Sequence, residues 1–244
     1  MTVPKLSIII ITLNEQDRLP RLLSDLAAQT FGDFEVIHVD SNSDDETVSR
    51  SRQAASGFDR YKIVEMSQRG VSLGRNVGAS HAKGKRLLFL DADTRLPANF
   101  LEESLTELAQ AHADVGVVCM SAEGLNVLYR IGFGAFNLGI RATSLFFPTA
   151  IGACLFSTPE VHRTIGGFDE SLSLCEDCNY ALKAHRCGMF RTLVPKNKFQ
   201  FDPRRLRQDG FVATGFLYLR ANLHRFFIGE LHKKEIPYAF GHYS

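Results

Sequence analysis

The sequence predicts an α/β fold with a mostly parallel central sheet flanked by helices, and three observations predict it. Short, continuous apolar runs rich in β-branched residues recur through the N-terminal part of the chain. Stretches with one apolar helical face separate them. The runs end on polar residues, Thr12, Asp40 and Asp91, where a strand covered on both faces gives way to solvent. A chain of 244 residues is long enough for one large domain of this kind.

The elements follow in order. LSIIIIT (6–12) is the first strand, and Asn14 and Glu15 open a helical stretch with Leu19, Leu22, Leu23 and Leu26 on one face. FEVIHVD (34–40) is the second strand, and SNSDDETVSRSRQAA supplies a capping cluster and a helix. YKIVEM (61–66) is the third strand, the helix SLGRNVGASHA follows, and KRLLFLD (85–91) is the fourth. Strands joined through single helices make right-handed βαβ units, whose ligands bind beyond the carboxyl ends of the strands. Downstream, PANFLEESLTELAQAH reads as an amphipathic helix and residues 115–120 as a strand. Residues 124–150 show no readable period. Residues 151–158 read as a strand, IGGFDE as a turn, and EDCNYALKAHRCG as a helix stopped by glycine. One domain over residues 1–200 results, with a nucleotide-binding half (1–96) and an acceptor half (97–200), followed by a basic amphipathic extension (201–244).

Composition narrows the function classes. A net charge of +1 argues against a nucleic-acid partner. Five cysteines, an odd number without the spacing of a secreted disulfide framework, fit a reducing, cytoplasmic setting. The apolar start reads as a strand and not as a secretory leader. The nearest approach to a membrane span, ATSLFFPTAIGACLFSTPEV, is broken by prolines and glycine.

The run LLFLDADTRL (87–96) poses the chemical question, because a buried strand ends in two carboxylates, Asp91 and Asp93. Ionised carboxylates there must meet water, a cation or a ligand. A D-x-D pair offers hard oxygen ligands suited to Mg²⁺ or Mn²⁺; the plainer reading is that both aspartates cap the following loop and helix. DADT also satisfies the aspartyl-nucleophile motif of haloacid-dehalogenase-type Mg-dependent phosphatases, with Glu176 and Asp177 as the distal acids, although that motif usually closes a first strand. Glu176 and Asp177 also suit the first turn of a helix as dipole-complementing residues. Cys175 and Cys178 around them read as packing, since no second C-x-x-C accompanies them. Gly70, Gly74 and Gly78 fit either a flexible loop or a close phosphate approach.

Taken together, SIIIITLNEQDRLPRLLSDL, VIHVDSNSDDET, RGVSLGRNVGASHAKGKRLLFLDADT, and IGGFDE followed by LCEDCNYALKAHRCG resemble the ordered motifs of the family 2 glycosyltransferases. The resemblance covers most of residues 6–190. It implies the GT-A nucleotide-diphospho-sugar transferase fold and inverting transfer of a sugar from a nucleoside-diphosphate sugar to an unknown glycan or lipid-linked acceptor, with Mn²⁺ or Mg²⁺. It places Thr12, Asn14, Glu15, Asp40, Arg75, Asp91 and Ala92 at the nucleotide, Asp93 on the metal and Asp177 as the general base, with Glu176 beside it in a positioning role. A binding module that has lost transfer is the non-enzymatic alternative.

The C-terminal part bears on the acceptor. Val212, Phe216, Leu219, Leu223 and Phe226 recur at helical spacing, with Arg204, Arg205, Arg207, Arg220 and Arg225 around them. Such a helix either lies on an anionic bilayer as a peripheral contact or packs against the domain. The apolar stretch IGFGAFNLGIRATSLFFPTAIG is expected to help line a lipid-acceptor site. FDPRRLRQDG is expected to bring Asp202, Arg204 or Arg205 to the diphosphate.

Overall fold

The computed structural model describes residues 3–172, 174–189, 198–202, 204–208 and 210–232, apart from the side chains of residues 205 and 206. The Arg205 side chain, expected near the diphosphate, and the basic residues after position 232 lie outside what is described. Strands β1 (Leu6–Thr12), β2 (Phe34–Asp40), β3 (Tyr61–Glu65) and β4 (Arg86–Asp91) alternate with helices α1 (Leu19–Ala27), α2 (Thr47–Ala54) and α3 (Val71–His81). There follow β5 (Thr94–Arg95), α4 (Phe100–Gln110), β6 (Gly116–Val117), α5 (Val127–Thr143), β7 (Cys154–Ser157), α6 (Pro159–Thr164), α7 (Glu176–Arg186), β8 (Gln200–Phe201), α8 (Arg204–Gln208) and α9 (Phe211–Phe227).

The main sheet has the order β3-β2-β1-β4-β7-β6. Its first four strands are parallel, and β7 runs antiparallel to both β4 and β6. Thr12 pairs with Asp40, and Ile11 with Asp91, so the polar strand ends share one edge of the sheet.

The continuous apolar runs have a simple cause: both faces are covered. Ile8 and Ile10 of β1 pack with the α1 leucines and Phe100, while Ile9 and Ile11 pack on the other side with Phe89, Tyr180 and Ala181. Gly74 and Gly78 lie inside α3, where a methyl group at Gly78 would stand 2.3 Å from Ile9 Cγ2. Close helix–sheet packing, and neither loop flexibility nor phosphate approach, is what these two glycines provide.

Three local expectations are corrected, and one unassigned stretch is resolved. The first helix begins at Leu19, because Asn14 takes a left-handed φ of 59° that no helix continues through. The strand expected over 115–120 joins the main sheet only at Gly116–Val117; Met120 instead bridges Phe199, while its N–H donates to Asn137 Oδ1 (3.1 Å) and its C=O accepts from Asn137 Nδ2 (2.9 Å). The strand expected over 151–158 is confined to Cys154–Ser157. The unassigned stretch is the 17-residue helix α5, capped where Asn126 Oδ1 accepts from Tyr129 N–H (3.2 Å). Among the described residues no helix is long and apolar enough to cross a membrane.

Candidate active site

A cleft of about 1240 Å³ opens at the carboxyl edge of the sheet, lined by Glu15, Arg75, Asp91, Asp93, Glu176 and Asp177 among others. At its centre lies Arg75, 2% exposed. Its Nη2 donates to Asp91 Oδ1 (2.9 Å) and its Nη1 to Glu176 Oε1 (2.7 Å), while its Cζ stands 5.2 Å from the Phe168 ring centroid. Burial works against the guanidinium charge, but Asp91, Glu176 and Asp177 outweigh it and keep Arg75 firmly protonated. One buried cation therefore joins the end of β4 to the start of α7.

On one side of Arg75 is an acidic corner. Burial raises the Asp93 carboxyl to about 7; Asp91, Glu15 and Asp202 add to the rise and Arg204 opposes it. Glu15 is also raised by burial, against the pull of Arg204 and Arg18, both of which it pairs with. Asp202 accepts from Arg18 Nε (3.1 Å), and its N–H donates to the Asp93 carbonyl (3.2 Å). On the other side, Asp177 Oδ2 accepts from Gly152 N–H (2.5 Å) and Oδ1 from Cys178 N–H (2.7 Å). Burial first, then Glu176, lifts Asp177 to about 6, while Arg75 lowers it.

A cation would fit the acidic corner. Asp93 is crowded by three further carboxylates with only partial compensation, and positive charge would relieve that crowding. Among the described residues no three His, Cys, Asp or Glu side chains form a complete metal cage.

The remaining candidates divide. Ala92, though buried, borders the cleft. Thr12, Asn14 and Asp40 are turned into the strand-end loops. Thr12 Oγ1 donates to Asp40 Oδ1 (2.8 Å), leaving His38 Nε2–H as the donor to Thr12 (2.8 Å) and Nδ1 to accept from Tyr61 (3.1 Å). Burial holds His38 neutral, at about 4. Ser43 donates to both Asp40 oxygens, Asn14 N–H donates to Ser43 Oγ (3.0 Å), and Asn14 Oδ1 accepts from Asp44 N–H (2.9 Å). These three residues lock the β1 and β2 loops together. Sequence reading missed Arg18 and the backbone of Gly152 as site groups; both lie in stretches it singled out, but only long-range folding brings Arg18 to Asp202 and Gly152 N–H to Asp177.

Residues 7–160 match the family model described as Glycosyl transferase family 2. The chain belongs to that family. A relative named GalNAc(5)-diNAcBac-PP-undecaprenol beta-1,3-glucosyltransferase, from Campylobacter jejuni, is 31% identical over 120 residues, 48% of this chain and 39% of that protein. Matched segments span 38 to 39% of the length of such curated relatives. The mannosyltransferase PcManGT from Pyrobaculum calidifontis, solved with GDP-Man and Mn²⁺, superposes with a TM-score of 0.69 at 21% identity, covering 90% of this chain and 65% of that one. Staphylococcus aureus TarS 1–349, solved with UDP-GlcNAc, gives 0.64 at 21% identity over 80% and 58%. These likenesses establish the GT-A-type fold.

For this family 2 chain the aspartyl-phosphatase reading is not favoured. Three βα units precede Asp91, and the Arg75 guanidinium sits between Asp91 and Glu176, where that reading requires a shared cation. Gly152 gives the clamp a direct test. A methyl group there would stand 2.6 Å from Arg75 Nη2. Gly152→Ala is expected to lower the unfolding free energy by about 1–3 kcal/mol in urea denaturation. Gly134→Ala, on α5 with nothing within 4 Å, leaves stability unchanged or slightly raises it.

Proposed function

We propose that this cleft transfers a glycosyl group from a nucleoside-diphosphate sugar to an acceptor hydroxyl or phosphate, with inversion at the anomeric carbon. The observation that carries the reading is the row Asp93, Asp91, Arg75, Glu176, Asp177, in which one buried arginine separates an acidic corner from a carboxylate poised near neutral pH. The ligands bound to TarS and PcManGT in their solved structures support the donor class and a divalent cation. The name of the Campylobacter relative supports a lipid-linked acceptor.

In this reading Glu15, Arg75, Asp91 and Ala92 face the nucleotide, and Thr12, Asn14 and Asp40 hold the mouth of its pocket in shape. Asp93 holds Mn²⁺ or Mg²⁺, with Asp91 beside it. A cation held there would supply positive charge to offset the charge developing on the departing diphosphate. Asp177 is the general base: its carboxylate takes the acceptor hydroxyl's proton as the acceptor oxygen bonds to the anomeric carbon and the bond to the diphosphate oxygen breaks. Glu176 positions this chemistry through Arg75. A phosphate acceptor would arrive already ionised and would not call on the base.

Thermal unfolding with UDP, GDP and dTDP, with and without Mn²⁺, tests the donor. A ligand at a hundred times its Kd stabilises the native state by about 2.7 kcal/mol. The expected result is a cation-dependent rise with one nucleotide and, with the matching radiolabelled donor, label in a product. No rise with any nucleotide would overturn the reading. Binding without turnover of donor would point to the non-catalytic module.

A further inference from the structure

Of the fourteen exposed large apolar side chains among the described residues, all but Val3 lie on α5, on α9 or within three residues beyond either helix. On α5 they include Ile131 (65% exposed) and Leu138 (66%); on α9, Phe216 (67%) and Phe227 (76%). Apolar surface concentrated in this way marks an interaction face, where scattered single residues would not. α9 meets α5 at Tyr129–Phe211 and the segment just beyond α5 at Phe147–Phe226, with ring centroid distances of 5.0 and 5.2 Å. Between them runs the outer part of the cleft, edged by Phe136 and Ile140 on α5 and by Tyr218 and Leu223 on α9.

The charge on these two helices has one sign. Neither helix contains an Asp or Glu, and Arg130, Arg141 and Arg220 are exposed. Two of the arginines expected at this surface are engaged elsewhere: Arg225 is buried and paired with Glu230 (2.8 Å), and Arg204 turns inward to Glu15. An apolar helical face bordered by exposed arginines and free of acids complements an anionic lipid surface.

We infer that α5 and α9 together dock on an anionic phospholipid bilayer, and that the acceptor is an amphiphile drawn from it, its apolar part lying between the helices and its head reaching Asp177. This deepens the proposed function, resting on it only for what happens at Asp177. Packing explains the pairing of surface and site. Ala221 of α9 is buried against Leu174, Cys175 and Cys178, which flank the Glu176–Asp177 pair.

Flotation with phosphatidylcholine vesicles, with and without phosphatidylglycerol, tests the surface. The parent chain is expected to float with the phosphatidylglycerol vesicles and to be released by added salt. Phe216→Glu combined with Leu138→Glu, neither residue bordering the cleft, is expected to weaken partitioning by roughly tenfold or more. Arg141→Glu combined with Arg220→Glu should erase the preference for phosphatidylglycerol. Each variant's thermal shift with nucleotide and Mn²⁺, compared with the parent's, reports whether the domain is intact. Failure of the parent to float would overturn the inference, as would a concentration-dependent dimer that Phe216→Glu dissociates while vesicles have no effect. Flotation without any nucleotide shift would leave the docking surface standing and remove the transferase reading.

Discussion

Asp177→Asn is expected to reduce transfer to a hydroxyl acceptor by about 10²–10⁴-fold while leaving nucleotide binding intact, since the variant keeps the shape of the side chain but cannot take a proton, and its NH2 replaces one of the two oxygens that accept from Gly152 and Cys178 N–H. In the parent, kcat/KM should rise with pH through about 6 and then level off, because the base works only when ionised. Stability moves the other way. A carboxyl raised from 3.8 to about 6 in the folded state contributes stability that is fully present below about 3.8 and is lost as pH climbs through about 6. At pH 8 the parent therefore carries the cost of an ionised, buried Asp177. The Asn variant escapes that cost but leaves one of the Gly152 and Cys178 N–H groups without its acceptor, so its stability relative to the parent should be greatest at pH 8 and fall by about 1–3 kcal/mol toward pH 4. Denaturation of both proteins across this range, beside a rate profile with a hydroxyl acceptor, checks both halves. Transfer within tenfold of the parent would remove Asp177 from the role of base.

Asp93→Asn should separate binding from stability even more sharply. The nucleotide-dependent thermal shift should lose its requirement for Mn²⁺, and kcat/KM should fall by about a thousandfold or more, the scale of several kcal/mol of charge stabilisation. In metal-free buffer at pH 8 the variant should nonetheless unfold at a higher temperature than the parent. The sign follows from a carboxyl raised to about 7: the stability it contributes is complete at low pH and gone above about 7, so the parent is penalised at pH 8. Adding Mn²⁺ with nucleotide should reverse the order of the two proteins. A variant that still responds to Mn²⁺ as the parent does would place the cation elsewhere.

Much of the fold was legible because its cause is local. β1 and β2 begin and end where their apolar runs do, since strands buried on both faces have no reason to interrupt the pattern. α5 was illegible for a related reason. One of its faces lines the cleft and the other is apolar and exposed, so no polar stripe marks its period. The short edge pairings of β6 and β7 depend on partners far away in sequence, which no local propensity reports. Within the site, the carboxylates could be named from their motifs, but the arginine holding two of them could not be placed. Arg75 reaches Asp91 across 16 residues and Glu176 across 101, and only the folded sheet brings them to one guanidinium.

The small sheet of β5 and β8 carries one more consequence. Thr94 pairs with Phe201 and Arg95 with Gln200, and the Asp202 N–H closes on the Asp93 carbonyl. A clasp contributed from late in the chain thus fastens the loop bearing Asp93 from behind, and residues 200 and 201, on either side of the expected domain boundary, form one hinge pin. Trimming the chain to the span of its recognisable motifs would keep each acidic side chain of the D-x-D and let the loop that aims them swing free.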